Sequence, residues 1–256
     1  MSLPDPVYRD EWAEVYCGEA LALVPHLPAF DALVTDPPYS SGGAMRGDRT
    51  TSTTSKYVHS DTAAYRPEFG GDNRDQRSYL AWCSLWLAAA LQRAKPGAVC
   101  ALFTDWRQLP VTTDALQAGG WVWRGVGVWD KTEGARPTLR GLRAQSEFVV
   151  WGTAGPSDPG ANPVALPGVF RQSTVRDRVH IAQKPDQVMR WLVKLAPPGG
   201  LVVDPFAGSG STLRAAKDEG RRSVGVEMDE RYCDAAAARL AQETLFVGDG
   251  TPPEPL

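Results

Sequence analysis

The sequence contains few residues that bind metals or form disulfides. Only four cysteines and three histidines occur among 256 residues, and no two cysteines are spaced as a CxxC pair. Scattered cysteines of this kind are typical of proteins in a reducing compartment. We therefore expect reduced thiols and no metal site.

Long apolar segments are also lacking. No run approaches the roughly 18 apolar residues that a membrane-spanning helix needs. The N-terminal residues are acidic and lack the apolar core of a signal peptide. Hydrophobic residues make up 43% of the chain and charged residues 22%, as in an ordinary globular domain with a buried core. We expect a single domain over residues 1–256, a cytoplasmic location and no membrane partner.

An overall excess of positive charge is missing as well. The net charge is −3, which taken alone argues against a nucleic-acid partner. The charge is uneven, however: residues 1–35 carry six acids and one base, whereas residues 121–184 carry nine bases and five acids. A basic region on an acidic protein is compatible with nucleic-acid binding, although a solvated charged surface explains it equally well.

The order of apolar patterns predicts an α/β fold with a largely parallel sheet. Two later strands, 121–129 and 147–151, are predicted to form an antiparallel pair. The other predicted strands are 30–35, 98–103, 201–203 and 223–227, and the predicted helices are 79–94, 109–118, 184–195, 211–219 and 230–242.

The first chemically informative motif is Asp36-Pro37-Pro38-Tyr39, directly after a short apolar segment. An aromatic amine is a poor nucleophile because its lone pair is delocalised into the ring. The Asp36 carboxylate and the Pro37 carbonyl would accept hydrogen bonds from the two amine hydrogens, and the proline pair would fix the backbone. Tyr39 offers a flat face for stacking an extruded base. The alternative is that the prolines only mark a turn after a strand.

A second motif combines an apolar strand, a glycine-rich turn and the start of a helix. Gly208 and Gly210 permit positive φ angles and close backbone approach. The third glycine of a dinucleotide fingerprint and the Gly-Lys-Ser/Thr of a phosphate loop are both missing. Asp204 suits an ammonium group, and Glu227, about 20 residues further on, stands where an acid binds ribose hydroxyls. A generic Rossmann-type turn is the alternative. The candidate cofactor-binding residues of this motif are Asp204, Phe206, Ala207, Gly208, Ser209, Gly210 and Glu227.

These motifs resemble those of the DNA amino-methyltransferases, which use S-adenosyl-L-methionine to make N6-methyladenine or N4-methylcytosine. Residues 36–39 (DPPY) resemble the catalytic motif of that family, and residues 204–210 (DPFAGSG) resemble its cofactor-binding motif. The catalytic motif comes first, as in the circularly permuted β subgroup. The resemblance implies a Rossmann-like methyltransferase fold with a mostly parallel seven-stranded sheet and one antiparallel strand.

Four further segments are similar to parts of the same family, and two of these, residues 129–131 and 146–148, resemble segments that come later in that family. The resemblance places Gln183 and Lys184 near the methionine end of the cofactor. It also places Gly18 and Glu19 at the usual Gly-Asp position, with Glu in place of Asp, although residues 248–249 near the C-terminus offer a competing Gly-Asp.

The resemblance implies transfer of a methyl group to N6 of adenine in a flipped-out base of double-stranded DNA. Asp36 favours adenine, since Ser at that position is more typical of the cytosine enzymes, and N4 of cytosine is the close alternative. A catalytically silent DNA-binding module is a more distant alternative, against which Asp36 and the glycine turn argue. The enzyme would be bacterial or phage-encoded, and a cognate restriction endonuclease and a homodimer are left open as partners.

Two long polar segments, residues 40–78 and 153–179, interrupt the α/β pattern. Loops of this length are commonly functional or disordered, and we interpret both as insertions for DNA target recognition. A surface loop without function is the alternative for the first. Residues that would contact DNA are basic and follow the catalytic motif or the first strand of the antiparallel pair: Arg46, Arg49, Lys56, Lys131, Arg136, Arg140 and Arg143.

Overall fold

The computed structural model describes residues 2–39, 74–135, 137–174 and 184–242. Five residues with predicted roles lie outside the described residues: Arg46, Arg49, Lys56, Arg136 and Gln183. Every helix in the described ranges is too short or too polar to cross a lipid bilayer.

The described strands form one mixed, mostly parallel sheet in the order β1-β2-β9-β8-β3-β4-β6-β5-β7. The expected count of seven strands is wrong, because nine are present. The additional strands include two short edge segments, whose two and three residues carry no readable alternation. The strands are β1 (Tyr8–Arg9), β2 (Ala13–Cys17), β3 (Phe30–Thr35), β4 (Ala94–Thr104), β5 (Val122–Asp130), β6 (Ser146–Thr153), β7 (Val169–Arg171), β8 (Leu201–Asp204) and β9 (Arg222–Glu227).

Strand β3 shows why the centre of the sheet is buried on both faces. Leu33 packs into one core cluster, whereas Ala32 and Val34 pack into another on the opposite face. Parallel strands covered on both faces read as continuous apolar runs, which explains why this strand was visible in the sequence. The antiparallel pairing of β5 with β6 is confirmed.

Six α-helices are described, and they cover both faces of this sheet. The helix predicted over 109–118 has those bounds, and the four other predicted helices differ by one to three residues at an end. The short helix Ala20–Leu23 was not predicted. The helices are α1 (Ala20–Leu23, followed by a 3₁₀ turn at Val24–His26), α2 (Gln76–Leu91), α3 (Leu109–Ala118), α4 (Asp186–Val193), α5 (Ser211–Asp218) and α6 (Glu230–Leu240).

Parts of the two predicted insertions belong to the α/β framework itself. Asp75 caps α2 by accepting hydrogen bonds from the backbone N–H groups of Arg77 and Ser78. The last residues of the segment 40–78 therefore form the first turn of this helix. Within the second, β7 extends the sheet by pairing in parallel with β5. The other residues of these two segments, 40–73 and 175–179, lie outside the described residues.

The parallel strands β3, β8 and β9 are neighbours, with Leu33 beside Val203 and Asp204 beside Gly225. Their carboxyl ends therefore meet at one edge of the sheet. Ligands of open α/β sheets bind at that edge. Asp36, the turn after Asp204, and Glu227 all lie there.

Candidate active site

A direct hydrogen bond joins the two motifs. The hydroxyl of Thr35, the last residue of β3, donates to Oδ1 of Asp204, the last residue of β8, at 2.6 Å. Thr35 is fully buried, and the next residue in the chain is Asp36. The catalytic motif and the glycine-rich turn are thus held side by side by a buried polar contact between adjacent parallel strands.

Asp204 organises the turn that follows it. Its carboxylate also accepts hydrogen bonds from the backbone N–H of Phe206 (3.0 Å) and from the Thr212 hydroxyl (2.5 Å). Burial raises the pKa of Asp204 to about 6, and the hydrogen bonds from Thr212 and Thr35 oppose that shift. Because only 2% of its surface is exposed, Asp204 stabilises the turn from its buried side through these hydrogen bonds.

The glycine-rich turn has open space above it at one position and close packing at another. Gly208 has a φ of +52°, and a Cβ added there would meet nothing within 4 Å. Gly210 has a φ of +78°, and an added Cβ would lie 3.0 Å from Cβ of Ala236 in α6. Ala207, which precedes Gly208, and Ser209, which lies between the two glycines, are both buried. The turn exposes its backbone at Gly208 and anchors α5 at Gly210.

Glu227 lies directly beside the exposed part of the turn. Its carboxylate accepts hydrogen bonds from the backbone N–H groups of Gly208 and Asp229, each at 2.8 Å. Burial raises the pKa of Glu227, and these two hydrogen bonds oppose the rise. A half-buried carboxylate next to open backbone fits the recognition of ribose hydroxyls in a nucleoside-bearing cofactor.

Gly18 contacts the end of β9 beside the glycine-rich turn, whereas Glu19 caps a helix. The backbone N–H of Gly18 donates to the carbonyl of Glu227 at 2.8 Å, which brings Gly18 to the edge of the turn. The Glu19 carboxylate instead caps α1 by accepting from the N–H of Ala22 at 3.0 Å. The sequence motif did not indicate this capping role.

Aromatic rings cover the side of the turn that faces α2. The ring of Phe206 lies 5.2 Å from that of Trp82 and 5.1 Å from that of Trp86. Trp86 is completely buried and Phe206 partly. These contacts fix Phe206 as an apolar wall beside Gly208.

Asp36 is the first member of a row of four alternating charges, here called the ion-pair chain: Asp36, Lys184, Glu147 and Lys131. The ammonium of Lys184 lies 2.5 Å from Oδ2 of Asp36 and 3.3 Å from Oε2 of Glu147. The ammonium of Lys131 lies 3.2 Å from Oε1 of Glu147. Little of the two central side chains is exposed, 7% for Lys184 and 16% for Glu147.

The charges of the ion-pair chain stabilise one another. Burial alone would lower the pKa of Lys184, but the carboxylates of Asp36 and Glu147 outweigh burial, and the pKa is raised. Burial alone would raise the pKa of Glu147, but Lys184 and Lys131 outweigh it, and the pKa is lowered. Both side chains are therefore charged at neutral pH.

Two aromatic rings line the catalytic end of the ion-pair chain. The ammonium of Lys184 lies 5.0 Å from the centre of the Phe103 ring and 5.8 Å from that of Tyr39. Pro37 is buried, whereas Pro38 and Tyr39 are half-buried. The motif thus presents a carboxylate and a phenol ring at the same edge of the sheet.

The sequence did not identify every residue of this site. Glu147 and Thr35 were not among the candidates, and Lys184 was placed by resemblance at the cofactor without its contact to Asp36. Lys131 was predicted to contact phosphates, but only 17% of its side chain is exposed and its ammonium binds Glu147. Arg140 and Arg143 do lie on the exposed surface.

Comparison with known proteins shows similarity to a family profile and to a bacterial methyltransferase. Residues 155–238 match the profile of the N6_N4_Mtase family, described as DNA methylase. The chain is 24% identical to the Type II methyltransferase M.ScaI of Streptomyces caespitosus, over 94% of this chain and 86% of that protein. The matched family segment contains the glycine turn and Glu227 but not Asp36.

Solved structures share the fold. The PvuII DNA methyltransferase (cytosine-N4-specific) matches with a TM-score of 0.70 and 18% identity, over 94% of this chain and 90% of that one. The M1.HpyAVI–SAM complex matches with a TM-score of 0.64 and 21% identity, over 90% of this chain and all of the other. The predicted Rossmann-like methyltransferase fold is confirmed by these structures.

Proposed function

We propose that this protein is an S-adenosyl-L-methionine-dependent DNA methyltransferase that modifies N6 of adenine in a flipped-out base. The observation that carries the proposal is the hydrogen bond between Thr35 and Asp204, because it joins the Asp36 motif to the glycine turn on neighbouring strands. An acceptor for an amine and a turn suited to a nucleoside thereby lie at the same edge of the sheet.

The cofactor is held by residues at the ends of β8 and β9. Gly208 would allow close approach of its backbone, Glu227 would accept hydrogen bonds from the ribose hydroxyls, and Phe206 would give an apolar contact. Gly18 lines the same edge, while Asp204 supports the turn from below. Bound S-adenosyl-L-methionine supplies an electrophilic methyl group on a sulfonium.

Asp36 prepares the amine for attack. Its carboxylate and the carbonyl of Pro37 accept hydrogen bonds from the two amine hydrogens, which localises the nitrogen lone pair. The negative charge of Asp36 also stabilises the positive charge that develops on nitrogen during transfer. Pro38 restricts the backbone, and Tyr39 stacks against the extruded base.

Lys184 and Glu147 act on the amine through Asp36. Lys184 fixes one carboxylate oxygen of Asp36 by its contact at 2.5 Å. Glu147 offsets the charge of Lys184 and restricts its position from the opposite side. We assign both as positioning residues, since neither needs to touch the reacting atoms.

Adenine is the proposed target because Asp36 stands first in the motif. The order of the two motifs along the chain resembles the permuted β subgroup. The candidate in second place is N4 of cytosine, which the fold similarity to the cytosine-N4-specific PvuII enzyme favours. The same acceptors would serve either amine. Double-stranded DNA is the proposed partner, with Arg140 and Arg143 as exposed phosphate contacts.

The test is transfer of labelled methyl groups to unmethylated genomic DNA, followed by nucleoside digestion and mass spectrometry. We expect label in N6-methyladenine. Label in N4-methylcytosine would retain the mechanism and change the base. Absence of label in DNA, with tight binding of S-adenosyl-L-methionine, would overturn the proposal.

A pair of aspartate variants sharpens this test. Asp36→Asn is expected to reduce methyl transfer at least about a hundredfold, as loss of a charge-stabilising group does elsewhere, while cofactor affinity stays unchanged. Asp31→Asn is the matched control, because Asp31 lies at the opposite end of β3, where it pairs with Lys95. Equal activity of both variants would contradict the assigned role of Asp36.

A further inference from the structure

Two leucines project from the loop that connects β5 to β6, here called the β5–β6 loop (residues 131–145). Leu139 and Leu142 are 92% and 94% exposed, more than any other large apolar side chain in the described ranges. The next is Leu85 on α2, at 62%. Two leucines this exposed, three residues apart, offer an apolar surface that a binding partner can cover.

The backbone of the β5–β6 loop holds Leu139 in a tight turn, and Leu142 follows that turn directly. The N–H of Gly141 donates to the carbonyl of Thr138 at 3.3 Å, with Leu139 and Arg140 at the corners of the turn. Arg140 has a φ of +55°, in the left-handed region that residues other than glycine seldom adopt. Such strain is found at functional sites more often than elsewhere.

The base of the β5–β6 loop lies at the catalytic edge of the sheet. Asp130 pairs with Ser146, and Phe148 two residues later pairs with Thr104 at the carboxyl end of β4. Leu102 of β4 in turn lies beside Thr35, which precedes Asp36. Glu147, between these pairs, belongs to the ion-pair chain. The leucines therefore extend from the same edge as the catalytic motif.

The charge of the β5–β6 loop identifies the chemistry of its partner. The sequence from 131 to 145 contains four bases and one acid, although the whole chain is acidic. Arg143 is anchored within the loop, donating to the carbonyl of Ala135 at 3.0 Å. Apolar side chains interleaved with basic ones match a polyanion that has apolar stacked faces, which is the character of duplex DNA.

We propose that Leu139 and Leu142 form a wedge that enters duplex DNA next to the target base and occupies the space this base leaves when it is flipped out. The inference rests on the proposed function and adds a means of opening the duplex. Arg140 and Arg143 hold the flanking phosphates while the leucines contact the bases that remain stacked. Insertion of leucine between base steps is an established way of unstacking DNA.

The experiment compares two duplexes that carry the recognition site obtained from the methylation assay. One has a normal partner opposite the target base, and the other has an abasic site there, so that the target base is already weakly held. Methyl transfer is measured with the wild type, with Leu139→Ala/Leu142→Ala, and with Leu139→Phe/Leu142→Phe. Leu85→Ala is the control for an exposed leucine elsewhere.

For the double alanine variant we expect transfer to the normal duplex to fall about tenfold or more, and transfer to the abasic duplex to lie within about twofold of the wild type. The phenylalanine variant is expected to retain activity, because the wedge keeps its apolar volume, and Leu85→Ala is expected to behave as the wild type. The melting temperatures are expected to agree, since the leucines contribute little to the core.

Three results would overturn the wedge. The first is undiminished transfer by the alanine variant, and the second is an equal loss on both duplexes. The third is conversion of a dimer to a monomer on sedimentation, which would make the leucines an interface between two copies of the chain. If the wild type itself transfers no methyl group to DNA, the proposed function fails and the wedge fails with it.

Discussion

At the scale of single residues, the environment of Asp36 is set by charged side chains that are distant along the chain, since Lys184 contacts Asp36 and Glu147 contacts Lys184. An aspartate before two prolines and a tyrosine carries a chemical signature that can be read locally. Lys184 stands 148 residues further along the chain, and Glu147 occurs within an ordinary strand pattern. Only the packing of β3, β6 and the start of α4 brings the three charges together, so the contacts of the ion-pair chain cannot be predicted from a single sequence.

Asp204 is the residue whose protonation should affect stability most visibly. Its pKa is raised from 3.8 to about 6 in the folded protein, mainly by burial. Between these pH values the folded protein keeps a proton that the unfolded chain has lost. The contribution of Asp204 to the free energy of unfolding is therefore fully present below about pH 4 and is lost as pH rises through about 6.

We predict that Asp204→Asn removes this dependence. The difference in unfolding free energy, variant minus wild type, is expected to grow by about 3 kcal/mol between about pH 4 and pH 7. Denaturant titrations at several pH values measure it. Thr212→Val removes a hydrogen bond to the ionised carboxylate, so it should move the transition to higher pH. A difference that is constant with pH would contradict the assignment.

At the scale of elements, patterns long enough to repeat were predicted well. The helix Leu109–Ala118 has the predicted bounds, and β3 and β9 agree to within one residue. The sheet edges were missed, because Tyr8–Arg9 and Val169–Arg171 are too short for alternation to be visible. The first pairs in a hairpin with β2, which follows it directly, whereas the second pairs with β5, which is distant along the chain.

The turn between β8 and α5 yields a prediction that separates stability from ligand binding. Gly210→Ala is expected to destabilise the protein by about 1 to 3 kcal/mol, because a positive φ is combined with a contact of 3.0 Å to Ala236. Gly208→Ala is expected to cost less stability, since nothing lies near its added methyl group. That methyl group would instead fill the open space beside Glu227 and raise the Kd for S-adenosyl-L-methionine about tenfold.

Gly220→Ala is the matched control, because Gly220 also has a positive φ of 68° and open surroundings but lies beyond the far end of α5. Thermal unfolding and calorimetric titration with S-adenosyl-L-methionine measure the two effects. We expect Gly220→Ala to match Gly208→Ala in stability and the wild type in Kd. An unchanged Kd in Gly208→Ala would show that the cofactor does not approach this part of the turn.

At the scale of the whole molecule, the class of fold followed from two motifs and their strands, while the electrostatics needed the structure. The protein as a whole carries a net charge of −3, so any attraction to DNA must come from a local surface. Of the predicted DNA contacts within the described residues, Arg140 and Arg143 are exposed, whereas Lys131 is held in the ion-pair chain by Glu147. Basic residues of one sequence run thus take different roles because their burial differs.

The difference between the exposed arginines and the paired Lys131 predicts how salt should affect DNA binding. Each phosphate contact that is lost reduces the slope of log K against log salt concentration by about 1. Arg140→Gln is therefore expected to make the slope less steep by about 1. Lys131→Gln is expected to leave the slope unchanged, because the Lys131 ammonium already pairs with Glu147 at 3.2 Å. Fluorescence anisotropy of a labelled duplex between about 50 and 200 mM salt measures the slopes. Should Lys131→Gln reduce the slope as much as Arg140→Gln, Lys131 leaves Glu147 to bind a phosphate, and the ion-pair chain is opened whenever DNA is bound.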